Sequence, residues 1–163
     1  MRWAIWERCF AAGGVAVGWL VVRVIFAEGE MPVQLVAEKN FRVGDATTVE
    51  GRSPSQGYSV VFEDDGSTGY PYGLDFSRKD NPIVDALQIY DVVKVTDRAK
   101  PSVVQLVWSE DGLKAALLIN QYPHAVFDFE ARRGYCRTGF PPPDKKWTDH
   151  SHVWSDDVQN LFR

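Results

Sequence analysis

Three side chains in the C-terminal half of the chain are of the types that acid–base and nucleophilic catalysis use. His124 and Asp128 lie four residues apart, and Cys136 follows eight residues after Asp128. A histidine acts as a general base when a carboxylate orients it, and it can activate a cysteine thiol as a nucleophile. If this segment is a strand, however, four residues span about 13 Å, which is too far for a hydrogen bond between His124 and Asp128.

No sequence pattern of a known cysteine enzyme surrounds Cys136. We therefore assign no catalytic residue, leave open whether the chain is an enzyme, and favour a role without catalysis. A small enzyme that uses Cys136, His124 and Asp128 remains the alternative. The competing interpretation places the histidine and the aspartate on a solvated face and the thiol in a loop.

Three arginines surround an aromatic residue in the stretch that follows. Arg132, Arg133 and Arg137 lie close to Tyr135. Guanidinium groups bind carboxylates and phosphates, and arginine and tyrosine are enriched where proteins bind one another. We predict that these four residues form a binding site. The alternative is a structural loop whose arginines pair with the carboxylates of Asp128, Glu130 or Asp144.

An acidic turn follows the first strand of the strongest hairpin pattern. Glu63, Asp64 and Asp65 are consecutive and lack the ligand spacing of a calcium loop. A charged hairpin tip is the ordinary outcome for such a sequence. Because complementary charge speeds encounter between proteins, we also predict these residues as binding residues for a basic partner.

The sequence predicts neither a metal site nor a cofactor. His150 and His152 flank Ser151 near Asp149 and Asp156, but two histidines without a cysteine pair are typical of a solvated loop rather than of a zinc site. The chain contains no glycine-rich phosphate loop, no nucleophile elbow and no paired cysteine motif.

The spacing of apolar residues predicts antiparallel strands around these candidates. Residues 58–63 and 70–76 alternate on both sides of the turn sequence EDDGSTG, which predicts a hairpin. Residues 102–108, 113–119 and 124–129 are separated by short turns, which predicts a three-stranded meander. The continuous apolar run within 113–119 indicates a strand that is buried on both faces.

Two segments have helical patterns instead. Asn81 and Pro82 suit a helix start, and the apolar residues that follow recur at helical spacing up to Tyr90, before a β-branched strand over residues 92–96. Residues 151–162 carry an apolar stripe typical of an amphipathic C-terminal helix. We therefore predict an α+β fold, mostly antiparallel hairpins and a meander with a C-terminal helix, in a single domain over residues 31–163.

Residues 1–30 form a separate apolar N-terminal segment with three interpretations. The start of translation is at Met31, or the 19 residues from Cys9 to Ala27 form a membrane anchor, or the segment is a cleaved signal peptide. A start at Met31 predicts a cytoplasmic protein. The anchor predicts a protein of the inner membrane whose domain is exported.

The composition excludes several classes of protein. The chain has 163 residues, is 45% hydrophobic and has a formal net charge of −4, which fits a folded globular domain rather than a disordered chain. An acidic balance argues against a nucleic-acid-binding protein, which normally carries a basic face.

Four stretches of the sequence resemble a known bacterial family. They are VFEDDGSTGYPYGLD, PIVDALQIY, LVWSEDGLKAALLINQYPHAVFDF and GYCRTGFPPP. Together they are similar to domain-of-unknown-function family 2251 over residues Tyr58 to Pro143. The resemblance implies a bacterial protein and no assigned chemistry. Small β-rich domains are also similar to immunity proteins that neutralise a toxin, a comparison at the level of fold alone.

Together these observations predict a small bacterial binding protein whose partner is another protein, in its most specific form an immunity-type inhibitor of a toxin. The alternatives are the small enzyme described above and a membrane-anchored ligand-sensing domain. We expect no nucleic-acid partner, and we expect membrane association only if residues 1–30 are translated.

Overall fold

The chain folds into two antiparallel β-sheets that pack face to face. The computed structural model describes residues 21–26 and 29–162, with side chains from Pro32 onward. The strands are β1 (Val21–Phe26), β2 (Gly29–Phe41), β3 (Thr47–Arg52), β4 (Tyr58–Asp64), β5 (Thr68–Asp75), β6 (Ile83–Ala86), β7 (Tyr90–Asp91), β8 (Ser102–Trp108), β9 (Lys114–Ile119), β10 (Tyr122–Asp128) and β11 (Arg133–Cys136). The larger sheet has the order β1-β2-β8-β9-β10-β11, and the smaller one has the order β3-β4-β5-β6, with β7 also pairing with β5.

The predicted hairpins and meander are confirmed. β4 and β5 pair around the acidic turn, with Phe62 opposite Pro71. β8, β9 and β10 form the three-stranded meander. Gly66 and Gly112 have φ values of 91° and 70° in the two hairpin turns, a backbone region that glycine enters without strain.

The α+β prediction was wrong, because the described residues form strands and only two short 3₁₀ helices, Val92–Lys94 and Asp156–Phe162. The helix predicted after Asn81 is instead a strand and a loop that run beside β5. The backbone amides of Leu87 and Ile89 donate to the carbonyls of Pro71 and Gly69. Pairing with β5 therefore uses the donors that a helix would need for its own i to i−4 bonds.

Two further elements differ from their predictions. The strand predicted over residues 92–96 is the first 3₁₀ helix, since the backbone amide of Val92 donates to the carbonyl of Ser67 and Val95 closes a turn onto Val92. The predicted C-terminal helix is limited to the seven residues of the second 3₁₀ helix. The apolar spacing of a helix is present in this segment, but its last seven residues form only a 3₁₀ helix, which packs on the larger sheet.

Most of the predicted N-terminal segment lies outside the described residues. Its described parts are β1 and the first residues of β2, which pair with each other at one edge of the larger sheet. The boundary predicted at Met31 therefore falls inside β2. In the described part of the chain, no helix has the length and apolar character that crossing a membrane requires.

Aromatic rings fill the core between the two sheets. Trp108 is fully buried, stacks on Phe129 at 5.5 Å between ring centroids, and donates its indole N–H to the carbonyl of Gly51 on the smaller sheet at 3.2 Å. A Cβ at Gly51 would lie 2.7 Å from a methyl group of Val36. The glycine thus lets the backbone of one sheet approach the side chains of the other.

β5 turns its small residues toward this core. Gly69, Pro71 and Gly73 are buried along its inner side, and a Cβ at Gly73 would lie 3.0 Å from the ring of Phe127. The ring of Tyr90 lies against Gly69 in the same way. The larger side chains of β5 must therefore point away from the core.

A second apolar cluster covers the outer face of the larger sheet. The C-terminal 3₁₀ helix packs its buried residues onto the central strands of this sheet. β9 is consequently buried on both faces, as the continuous apolar run predicted. The cluster consists of Val33, Val107, Ala116, Leu118, Val126, Tyr135, Val158 and Phe162.

A buried histidine and aspartate join the C-terminal segment to the smaller sheet. His152 Nε2 lies 3.0 Å from Asp85 Oδ2 on β6, and both side chains are almost fully buried. Neither the ring nitrogens of His152 nor Asp85 Oδ2 makes an aligned hydrogen bond within the described residues. The backbone carbonyl of His152 accepts from the amide of Cys136, and Gly134 leaves room for the Asp85 carboxylate.

We expect His152→Ala to lower the free energy of unfolding by about 3–5 kcal/mol, because it leaves the buried Asp85 carboxylate without its partner. The Asp85→Ala/His152→Ala variant should lose less than the sum of the two single losses. Urea unfolding measures all three variants. The matched control is His150→Ala, since His150 is exposed, and wild-type stability in His152→Ala would contradict the expected role of the pair.

Candidate functional site

The three candidate catalytic side chains do not come together. No hydrogen bond or ion pair within the described part of the chain joins any two of them. Cys136 is fully buried in the core between the sheets, with its Sγ 3.4 Å from Thr138 Oγ1 and 3.5 Å from the carbonyl of Phe140. Asp128 is buried and accepts from the backbone amide of Ala131 at 2.9 Å.

His124 lies at a β-bulge in β10. Pro123 pairs with Leu118 and Ala125 pairs with Leu117, so His124 is the extra residue between them. Burial, and next the charge of Arg137, lower the pKa of His124 from 6.5 to about 4. The imidazole is therefore neutral at pH 7, and it packs against the ring of Tyr122 at 5.3 Å between centroids.

The predicted arginine site divides into separate parts. Arg132 is exposed and has a positive φ of 53° in the turn before β11. Arg133 lies over the ring of Tyr135 at 4.7 Å, and its buried Nε has no hydrogen-bond partner among the described residues. Tyr135 belongs to the apolar cluster on the outer face of the larger sheet, so it acts there as a packing residue.

Arg137 is held between two aromatic rings. Its guanidinium carbon lies 4.4 Å from the ring centre of Tyr122 and 4.3 Å from that of Trp154, and its Nε donates to the carbonyl of Pro123 at 2.9 Å. We call Arg137, Tyr122 and Trp154 the arginine clamp. Its rings come from β10 and from the C-terminal segment, which the sequence alone does not bring together.

The alternative interpretation was a structural loop in which nearby carboxylates pair with these arginines. In the structure those carboxylates interact with other groups. Glu130 pairs with Lys114 at 3.2 Å, and Asp144 accepts from the backbone amide of Lys146 at 2.9 Å. Asp128 lies opposite Arg133 in the sheet but forms no ion pair with it among the described residues. The arginines are thus not neutralised by these acids.

The acidic turn also divides into buried and exposed parts. Asp64 is buried, and its carboxylate accepts from the backbone amides of Gly44 and Gly66 at 2.8 Å each and from the hydroxyl of Tyr90 at 2.7 Å. Burial and this hydrogen bond raise the pKa of Tyr90 far above its ordinary value. Asp64 therefore orders the turn and is not available to a partner.

Glu63 and Asp65 remain on the surface. The carboxylate of Asp65 accepts from the backbone amides of Thr68 and Ser67, which lowers its pKa. Glu63 accepts a long hydrogen bond of 3.4 Å from the hydroxyl of Tyr72. Two of the three predicted acidic residues are thus accessible to a partner.

The outer face of the smaller sheet carries a surface that no chemical motif in the sequence indicates. We call it the tyrosine face. Its residues alternate with the inward-facing ones along β4 and β5, and none of its apolar members belongs to either core cluster. The face consists of Val61, Glu63, Tyr70, Tyr72 and Leu74. The alternation of large and small residues in β5 was visible in the sequence, but not which set faces outward.

Pairing across the sheet builds this face. Tyr72 lies opposite Val61, and Tyr70 lies opposite Glu63. The two tyrosine rings are 6.1 Å apart and nearly parallel. Burial and the charge of Asp91 raise the pKa of Tyr70, while burial and Glu63 raise that of Tyr72, so the hydroxyls stay protonated in negative surroundings.

A shallow groove of about 520 Å³ adjoins the tyrosine face. Gln88 connects the two, because its side-chain oxygen accepts from the Tyr70 hydroxyl at 3.4 Å and its side-chain nitrogen donates to Asp91 at 2.6 Å. Lys94 pairs with Asp91, and Phe140 also lines the groove. In the described residues no cluster of histidine, cysteine and carboxylate groups is arranged to hold a metal ion.

Asp64→Ala should lower the free energy of unfolding by about 2–4 kcal/mol, because it leaves two backbone N–H groups and a buried hydroxyl without their acceptor. Tyr90→Phe should cost less, since it removes one donor and leaves the backbone amides bonded. Thermal and urea unfolding measure both variants. Asp65→Ala is the matched control at the neighbouring exposed carboxylate, and a larger loss there than in Asp64→Ala would refute the structural role of Asp64.

We expect His124 to make the protein less stable as the pH falls below 6.5. Its folded pKa of about 4 lies below the unfolded value, so protons bind the unfolded state preferentially, and the loss between pH 7.5 and pH 5 is about 2 kcal/mol. Urea unfolding at these two pH values measures this loss of stability. His124→Gln should remove this part of the pH dependence, whereas an equally steep dependence in that variant would contradict the assignment.

Comparison with known proteins identifies the family of this chain. Residues 41–163 match the family described as "Uncharacterized protein conserved in bacteria (DUF2251)", which confirms and extends the resemblance seen between Tyr58 and Pro143. An uncharacterized protein of Haemophilus influenzae is 39% identical over 124 residues, which cover 74% of this chain and 77% of the relative. No solved structure matches. The chain belongs to this family of uncharacterized proteins conserved in bacteria.

Proposed function

We propose that this protein is a binding domain that holds a basic partner protein against the tyrosine face. The observation that carries the proposal is the difference between the two outer faces of the sandwich. The outer face of the larger sheet is covered by the C-terminal segment. The outer face of the smaller sheet presents Tyr70, Tyr72 and Leu74, with no described residue packed over them as part of a core cluster. Aromatic surface of this kind is typical of protein-binding sites.

The charge of the face favours a basic partner. Glu63 lies within the face, and Asp65 and Asp91 contribute to the raised pKa values of its tyrosines. Lysine and arginine side chains are attracted both to carboxylates and to the faces of tyrosine rings. The formal net charge of −4 adds a long-range attraction that speeds encounter with a basic protein.

The more specific form of this function is an immunity-type inhibitor, for which the basic partner is a toxin such as a nuclease. The acidic face supports this form, because an inhibitor of a nucleic-acid-binding enzyme must oppose a basic surface. The enzyme alternative has no comparable support, since Cys136 is buried and its candidate base and acid are not bonded to it.

The test is site-specific crosslinking in the native host. We place a photoreactive phenylalanine analogue at Leu74, on the tyrosine face, and in a separate protein at Glu110, an exposed residue of the β8–β9 turn. We expect an adduct with one basic protein from position 74 and not from position 110. Mass spectrometry identifies the partner, which is then purified for binding measurements.

Substitutions then test the chemistry of the contact. Tyr72→Ala should weaken binding of the purified partner by roughly 30-fold, as expected for a tyrosine at the centre of an interface. Glu63→Lys should weaken binding and reduce its salt dependence. Val153→Ala, at an exposed apolar residue outside the face, should have no effect.

An acidic partner, equal adducts at both positions or unchanged affinity in Tyr72→Ala would overturn the proposal. For the immunity-type form, the partner expressed alone should arrest growth, and the wild-type protein should restore growth while Tyr72→Ala does not. A harmless partner would exclude the immunity role and leave the binding function in place.

A further inference from the structure

We propose that the arginine clamp is a binding site for the carboxylate side chains of an acidic peptide segment of a partner. The clamp lies on the outer side of the larger sheet, because Trp154 packs on the apolar cluster that covers that side. The tyrosine face lies on the outer side of the other sheet. The two sites therefore face opposite directions, and this inference does not depend on the proposed function.

The clamp fixes the guanidinium and leaves part of it unused. Nε donates to the carbonyl of Pro123, which holds one edge of the group against β10. The two terminal nitrogens have no hydrogen bond or ion pair within the described residues. The indole N–H of Trp154 also lacks an acceptor there, but it is buried, so only the terminal nitrogens of Arg137 can reach a ligand. A guanidinium that the fold holds in place, with its terminal donors accessible, is preorganised to bind an anion.

The two aromatic rings restrict how a ligand can approach the guanidinium of Arg137. The guanidinium carbon lies over the ring of Tyr122 and over the ring of Trp154, and the two rings make no contact with each other. A ligand must approach within the plane of the guanidinium. A planar carboxylate fits this approach and accepts two parallel hydrogen bonds from the terminal nitrogens, whereas a tetrahedral phosphate would press oxygens toward both rings.

The charges around the clamp favour an anion. The neighbouring His124 is neutral at pH 7, as described above, and the described residues place no carboxylate against Arg137. The site is open to large ligands, since Arg137 is exposed and half of the Tyr122 side chain is accessible to solvent. A peptide segment can reach such a surface site. Arg133 stacks on Tyr135 in the same outward-facing row, and it offers a second positive charge to the next carboxylates of the peptide.

The experiment follows the side-chain N–H signals of Arg137 and Trp154 by NMR at pH 7 and physiological salt. The probes are hexaglutamate, hexalysine and inorganic phosphate, each added to the ¹⁵N-labelled full-length protein. We expect saturable shifts of both signals with hexaglutamate, no shifts with hexalysine, and weaker binding of phosphate.

Two variants and one control make the result specific. Arg137→Lys keeps the charge but loses the flat fork, so it should bind hexaglutamate at least about tenfold more weakly. Tyr122→Leu keeps Arg137 and removes one ring, and should also weaken binding. Arg132→Lys, at an exposed arginine outside the clamp, should bind as the wild type does. Backbone spectra show which variants are folded.

Absence of shifts with hexaglutamate would overturn the proposal. So would equal binding of hexaglutamate by the wild type and a folded Arg137→Lys, because this would show attraction to positive charge without a formed site. Phosphate binding as tight as that of hexaglutamate would overturn the assignment to carboxylates. Loss of binding in both Arg137→Lys and Tyr122→Leu, with Arg132→Lys unchanged, supports the proposal.

Discussion

The aromatic rings between the two sheets occupy space that side chains of the smaller sheet would otherwise fill. Trp108 and Phe127 extend from the larger sheet, and Gly51 and Gly73 face them from the smaller one. Because protein cores are close-packed, large residues on one side require small residues on the other. This complementarity sets the distance between the sheets and decides which side of β5 points inward.

The orientation of β5 links the core to the proposed function. Once Gly69 and Gly73 face the core, alternation along the strand places Tyr70 and Tyr72 on the outer face. The C-terminal segment covers the other sheet instead, because its 3₁₀ helix packs on the larger sheet, while His152 lies between Asp85 on β6 and the backbone of Cys136 on β11. Within the described residues, the sandwich therefore has one outer face that the C-terminal segment covers and one partly exposed aromatic face.

The candidate site residues could be predicted only in part, because their environments depend on distant segments. Cys136 is buried because it faces inward on β11 and its backbone pairs with the C-terminal segment at His152 and Val153. Asp64 looked like its exposed neighbours in sequence, but the backbone of Gly44 and the hydroxyl of Tyr90 bind its carboxylate. The stacking of Arg137 needs Trp154, and neither spacing nor composition indicates that contact.

Local patterns in the sequence were enough to predict the hairpin around the acidic turn, the three-stranded meander and the family. Their signals are alternation and turn residues within about a dozen positions. Contacts between distant segments place residues 83–91 beside β5 instead of in a helix, and they turn Tyr70 and Tyr72 outward. Both placements depend on hydrogen bonds and ring packing between distant segments, and the local propensity of a segment cannot predict such contacts.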